Sequence, residues 1–264
     1  MIVDQQQRRL IYYDTEGNLI RQRSLDSYIP LIFPLDNGNF LVYFQEVDRE
    51  AGSLFLTLTL CDPGLKKIKE FFTRKMSSPF LAKKIKAIGD KYLIGISTDI
   101  IFSATTENGY EISVFDLKGN LLRKIRKEYI PVEVTDEQKK QIEQVYKKGG
   151  LKGTKEIEIP KHWPPFNGGF ADDEGYLFVR TYERGENPNE TFYDVFTPDG
   201  IFVTRIKVDN FAQDDIDRSL FTMAKNNRLY YNRYQSFPPK FGQGAKVHWT
   251  RPFHEEGMVQ CVMV

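Results

Sequence analysis

Phe115-Asp116-Leu117-Lys118-Gly119-Asn120-Leu121 is the stretch on which the reading of the fold turns. Residues before it alternate, Glu111-Ile112-Ser113-Val114, and residues after it alternate again, Leu122-Arg123-Lys124-Ile125-Arg126. A period of two on both sides of a short polar turn describes two antiparallel strands joined by a tight hairpin. The glycine has a backbone reason to be there. A tight turn calls for a residue at positive φ, which glycine adopts freely and branched residues resist.

The same pattern occurs three more times, at Tyr13-Asp14-Thr15-Glu16-Gly17-Asn18-Leu19, Cys61-Asp62-Pro63-Gly64-Leu65 and Phe196-Thr197-Pro198-Asp199-Gly200-Ile201. Pro63 and Pro198 preset φ inside their turns. A second signal, a polar turn followed by an apolar strand, falls between successive copies. It reads Asn37-Gly38-Asn39-Phe40-Leu41-Val42, Gly89-Asp90-Lys91-Tyr92-Leu93-Ile94, Glu174-Gly175-Tyr176-Leu177-Phe178 and Asn226-Asn227-Arg228-Leu229-Tyr230. These place the turn between the first and second strands of a unit. The second signal precedes the next hairpin by 21 residues (Phe40 to Cys61), 23 (Tyr92 to Phe115) and 20 (Tyr176 to Phe196). Two interleaved turn signals at a period of about 50 residues define a four-stranded antiparallel blade, and the expected fold is an all-β propeller.

The period is broken once, between Phe115 and Tyr176. A helical insertion is expected over about 128–159. Thr135 and Gln138 form a capping box, Asp136 and Glu137 open the helix, Lys147 and Lys148 close it, and Gly149-Gly150 stop it. Ile142, Val145 and Tyr146 are expected to form its packing stripe. Three complete blades fall at about 28–76, 77–127 and 160–208, with an N-terminal hairpin and a C-terminal run from Ser219 to Val264. At 264 residues an all-β chain of this kind is expected to form a single domain, 1–264.

With both patterns in view, the chain resembles the bacterial six-bladed β-propeller proteins related to NHL-repeat propellers, many of them uncharacterised. The likeness rests on the Phe115–Asn120 hairpin and on Arg126-Lys127-Glu128-Tyr129-Ile130-Pro131-Val132 leading into the insertion. It rests also on the return through Pro164-Pro165-Phe166 to Asp172-Asp173-Glu174-Gly175-Tyr176. It is a likeness of repeats and carries no catalytic residue across. Fewer than six blades are visible, so one is degenerate or lies upstream of Met1. Such relatives usually carry a signal or lipid anchor, which implies an extracytoplasmic full-length form, although the chain as given opens without a signal-like segment.

Composition narrows the function. Lys and Arg total 37 against 36 Asp and Glu, a net charge of +1, so no field of one sign steers the molecule onto nucleic acid. The sequence has no apolar run long enough to span a bilayer. Cys61 and Cys261 have no metal-type spacing and are expected to be buried free thiols, with pairing left open. Paired-histidine zinc motifs, Cys-x-x-Cys pairs, nucleophile elbows and dinucleotide fingerprints are missing. Gly149–Lys155 lacks the residue order of a phosphate loop, and Phe241–Lys246 reads as a loop. His162, His248 and His254 do not converge by spacing, and Asn189-Glu190-Thr191 is a chance sequon.

Lactonase-like propellers hold calcium in a central channel. The expected inner strands here, Tyr28–Phe33, Phe80–Ile85 and Ser219–Ala224, are nearly free of carboxylates, whereas a hard cation needs many oxygen ligands. The reading is a non-catalytic ligand- or protein-binding propeller without cofactor, its partner an unknown protein or small molecule. The alternative is a metal-dependent, lactonase-like hydrolase. The candidate binding residues are His162 and Trp163, leaving the insertion, and Arg180, ending an apolar strand. Trp163 stacks on a ligand or packs the insertion, and Arg180 faces a binding surface or snorkels from a strand end.

Overall fold

A computed structural model describes residues 1–48, 53–77, 84–148, 156–186 and 190–208, together with short strands between 222 and 259. Its contacts divide the chain into two compact units. The first holds Met1–Ile88, Leu117–Asn120 and Thr135–Pro160, and the second Gly89–Asp116, Leu121–Val134 and Lys161–Val264.

In the first unit, β1 (Ile2–Asp4), β2 (Arg9–Tyr13) and β3 (Leu19–Ser24) form an antiparallel sheet in chain order. A full four-stranded sheet follows: β4 (Tyr28–Pro34), β5 (Phe40–Asp48), β6 (Ser53–Cys61) and β7 (Lys67–Ser77). Leu10, Ile29, Phe40, Val42 and Cys61 bury against one another there. Next comes β8 (Lys84–Lys86).

The second unit opens with β9 (Tyr92–Ile96), β10 (Ile100–Thr105), β11 (Glu111–Asp116) and β12 (Leu121–Arg126), again antiparallel neighbours in chain order. Here the structure corrects the sequence reading. Tyr92–Ile96 is the first strand of its sheet, not the second, because Ser97-Thr98-Asp99 makes a tight turn and Ile100–Thr105 is the second strand. Both segments are apolar, so the short turn between them carries the only signal. The segment expected as this sheet's first strand, 80–85, lies mostly outside the described residues. Its described end, β8, pairs in parallel with β13 (Glu156–Glu158) of the same first unit.

Helix α1 (Asp136–Lys148) precedes β13. Its capping box is present: Gln138 N donates to Thr135 Oγ1 at 3.2 Å and Thr135 N donates to Gln138 Oε1 at 2.9 Å. Ile142 is buried and the Tyr146 hydroxyl donates to the Ala87 carbonyl at 3.2 Å. Val145 is 66% exposed, so the stripe is narrower than expected. The buried line runs through Ile142 and Tyr146, four apart, and Val145 falls on its flank.

The second unit continues with β14 (Gly169–Ala171), β15 (Leu177–Arg184), β16 (Thr191–Phe196) and β17 (Phe202–Val208), an antiparallel sheet in chain order. Beyond it, β18 (Thr222–Lys225), β19 (Arg228–Asn232) and β20 (Val247–Trp249) form a further sheet, and β21 (Met258–Val259) pairs in parallel with β17. Phe102, Ile112, Phe166, Leu177, Val179 and Phe196 are fully or almost fully buried in one cluster between the sheets of this unit.

The repeated hairpins share one geometry. Gly17 N donates to Asp14 O at 3.2 Å and Gly200 N to Thr197 O at 2.8 Å, and each glycine lies at positive φ, 89° and 83°. A register shift follows in the paired strands. This is a three-residue loop closed by a left-handed residue and a bulge. In the copy at Cys61 the glycine stands one place early. Leu65, not Gly64, donates to Asp62 O and takes the left-handed angle, φ 57°.

Candidate functional site

The residues expected to bind a ligand are all in the second unit. Segments 132–134 and 161–163 run antiparallel, with Val134 N donating to Lys161 O at 2.9 Å and Trp163 N to Val132 O at 2.8 Å. This pairing closes the two ends of the insertion within the unit. It leaves His162 pointing outward, its side chain 40% exposed and 3.9 Å from Glu133. Trp163 points inward, 5% exposed, and stacks on Tyr182 with ring centroids 4.6 Å apart and planes 17° from parallel.

Arg180 sits in β15, its backbone tied to the Pro-rich return by Arg180 N to Gly168 O (3.0 Å) and Asn167 N to Arg180 O (2.8 Å). Its Nε is buried with no hydrogen-bond partner among the described residues. The Tyr182 hydroxyl donates to Asn167 Oδ1 at 3.0 Å. Tyr182 and Asn167 thus link Trp163 to Arg180, while the His162 side chain lies toward solvent. Trp163 is stacked behind Tyr182 and does not line the cleft that Tyr182 borders. His248 lies in β20, with its side chain outside the described detail, and His254 and Cys261 lie outside the described residues. Cys61 is a free, buried thiol, pushed up to about 11 chiefly by burial.

Beside the Trp163–Tyr182 stack the unit holds a cluster that the sequence reading did not single out. Asp194, in the middle of β16, is fully buried. Its Oδ1 accepts from Arg205 Nε at 2.9 Å, from the residue directly opposite it on β17. Its Oδ2 accepts from the Tyr110 hydroxyl at 2.8 Å and lies 3.1 Å from Lys127 Nζ. Arg205 Nη1 also pairs with Glu183 Oε2. Tyr110 enters β11 and Lys127 leaves β12, held together by Lys127 N donating to Tyr110 O at 3.2 Å. One hairpin therefore supplies the phenol and the ammonium, and the adjoining sheet supplies the carboxylates and the guanidinium.

The electrostatics are those of a closed network. Burial raises the Tyr110 phenol far above its ordinary range, and the charge of Asp194 reinforces the effect, so it remains a neutral donor. Burial works against the Arg205 charge, but hydrogen bonds and charges from Asp194 and Glu183 outweigh it, and its pKa rises. Lys127 Nζ lies 5.4 Å and 5.3 Å from the Tyr110 and Phe202 ring centroids, a cation held over two aromatic rings. A buried carboxylate without such partners would be strongly unfavourable.

Above this floor lies a shallow cleft, open to solvent, with enclosed room for about one water molecule. Tyr129, Ile130, Val132, Pro164, Pro165 and Tyr182 make its walls. Ile130 is 85% exposed and Tyr129 38%. Pro164 and Pro165 fix the extended path that carries Phe166 into the core. Among the described residues no group of three His, Cys, Asp or Glu side chains is placed to hold a metal ion, and no helix is long and apolar enough to cross a membrane.

The signal for the cluster was present in β16. Phe192, Asp194 and Phe196 alternate on one side of the strand, so the carboxylate occupies a position where the pattern calls for an apolar residue. A carboxylate on a core parity, with an arginine on the following strand, announces a buried pair.

Comparison with known proteins agrees with the blade reading. The sequence profile of a family described as a 6-bladed beta-propeller matches residues 1–152. No curated protein sequence matches the chain. Solved structures that resemble it include Kluyveromyces lactis Hsv2 with loop 6CD replaced by a Gly-Ser linker, at 11% identity and TM-score 0.42, covering 99% of this chain and 79% of that one. A Bacteroides caccae protein of unknown function matches at 10% identity and TM-score 0.36, over 93% and 85% of the two chains. The calcium-binding protein regucalcin from Agrobacterium tumefaciens matches at 11% identity and TM-score 0.31, over 89% and 78%. The four-stranded antiparallel sheets and the family match together place the chain: it belongs to the six-bladed β-propeller family.

Proposed function

We propose that the protein is a non-catalytic binding propeller and that the cleft of the second unit is its binding site. One observation carries this reading: exposed apolar and aromatic side chains, Tyr129 and Ile130, stand at the mouth of a cleft whose polar floor is already fixed. Each charged group of that floor is paired, and the phenol is held neutral. Such a floor orients a ligand without reorganising, which favours binding. A general acid or base would instead need a group poised near the working pH.

The test is a ligand-observed NMR screen of a fragment library against the wild type and a Tyr129→Ala/Ile130→Ser double variant. Both substitutions are at the mouth and leave the buried floor intact. The reading predicts hits that bind the wild type and weaken by about tenfold or more in the variant, the loss expected when two exposed apolar contacts are removed. Hits that bind both proteins equally would overturn it.

A further inference from the structure

Strand β15 carries a cation that no described residue neutralises. Arg180 follows Phe178 and Val179, both buried, and is itself half-buried. Its backbone is fully used, with the N–H donating to Gly168 O and the carbonyl accepting from Asn167 N. Its side chain is not. Nε is buried and has no hydrogen-bond partner among the described residues, and none of their carboxylates pairs with the guanidinium.

Strand alternation accounts for this isolation. Successive side chains point to opposite faces, so Phe178 and Arg180 share one face and Val179 takes the other. Phe178 stacks on Phe170 with ring centroids 4.9 Å apart, and Phe170 meets the Tyr193 ring at 5.7 Å. Tyr193 stands directly opposite Arg180 on β16, and Ile206 opposite Tyr193 on β17. The arginine is therefore set among aromatic and aliphatic neighbours. The acids within the strands of this sheet, Glu183 and Asp194, belong to the opposite face, where Arg205 and Lys127 already hold them.

A buried donor left unmade costs stability, and a charged one costs more. Packing alone would be served better by an apolar side chain at this position. Because Arg180 is only half-buried, a solute reaches the guanidinium from the surface and needs no enclosed cavity. We infer that Arg180 is an anion-binding residue and that its anion is a carboxylate. The guanidinium fork matches the two oxygens of a carboxylate. A phosphate brings close to two charges, whereas the described side chains of this face supply one cation. Free acids and the carboxyl terminus of a peptide both present the required group. Arg180 does not line the cleft over Asp194, so the two sites are tested separately.

The experiment follows the Arg180 Nε–H resonance in protein carrying nitrogen-labelled arginine, identified by its loss in Arg180→Met. The full chain is titrated at constant ionic strength with acetate, N-acetylglycylglycine and acetamide. Acetamide keeps the shape of acetate and lacks the charge. A saturable shift is expected with acetate, about tenfold tighter than with acetamide, the difference one charge-assisted contact supplies. Tighter binding of N-acetylglycylglycine than of acetate assigns the site to chain termini, and equal or weaker binding assigns it to free acids. Urea unfolding gives a second readout. Arg180→Met removes the unmade donor and keeps an apolar stem, so in acetate-free buffer its midpoint should equal or exceed that of the wild type. Acetate should raise the midpoint of the wild type and leave that of Arg180→Met unchanged. A resonance that no carboxylate moves, or that acetamide moves equally, overturns carboxylate recognition. A lower midpoint for Arg180→Met in acetate-free buffer overturns it too, because the guanidinium would then be holding the fold together. Either result leaves the cleft reading to its own fragment screen.

Discussion

Gly17 and Gly200 hold nearly the same backbone angle at the same place in two hairpins, yet they face different neighbours. An added Cβ at Gly17 would meet nothing within 4 Å, whereas at Gly200 it would lie 2.8 Å from Ile125 Cγ1. Gly17→Ala isolates the left-handed backbone term, about 1–2 kcal/mol. Gly200→Ala adds a collision with a buried side chain, a further 1 kcal/mol or so at least. Chemical denaturation of the two variants should show this order, and equal losses would mean that the turn and not the packing sets the cost. Leu65 accepts the left-handed angle without glycine's freedom, and its side chain packs on the cluster of Ile29, Phe40 and Cys61. Burial offsets part of the strain there, which is why the glycine of that copy could sit one residue early.

Strands and their edges explain what was legible in the sequence and what was not. The hairpins at Asp14–Gly17 and Thr197–Gly200 were readable because positive φ and alternation are local demands, as was the capping box of Thr135 and Gln138. The order of β9 and β10 was not readable. Both are apolar, and choosing between them requires knowing which neighbour pairs with which, a long-range fact. The same holds for the site. Trp163 was found as an aromatic near a proline pair, but its role as the backing of Tyr182 depends on a contact across 19 residues of chain. Asp194 broke the apolar parity of β16 and so was detectable. Its partners Tyr110 and Lys127 come from a different sheet and were not. At this scale the cluster predicts an unequal pair of variants. Asp194→Ala leaves Arg205 and Lys127 without their buried counter-charge and should cost about 3–5 kcal/mol. Tyr110→Phe removes one donor from a carboxylate that keeps two cations, and should cost about 1.5–3 kcal/mol. Urea unfolding compares them directly, and a Tyr110→Phe loss as large as that of Asp194→Ala would show that the ions are not what holds the cluster.

Across the whole molecule, the sequence divides its labour between repetition and exception. Most of the described residues repeat one unit of paired antiparallel strands and a bulged hairpin. The exceptions gather in the second unit, where the ends of the insertion meet the Pro164-Pro165 return and the buried carboxylate of β16. A net charge of +1 over 264 residues leaves recognition to such local groups, not to a long-range field. The proposed recognition therefore rests on one cleft. The most direct measurement is a crystal structure of the protein soaked with fragments that bind in solution. Ligand density is expected between Tyr129 and Pro165, above Arg205, with the Tyr110, Asp194 and Lys127 side chains unmoved. Density confined to other surfaces, or a floor that rearranges to admit the ligand, would contradict it.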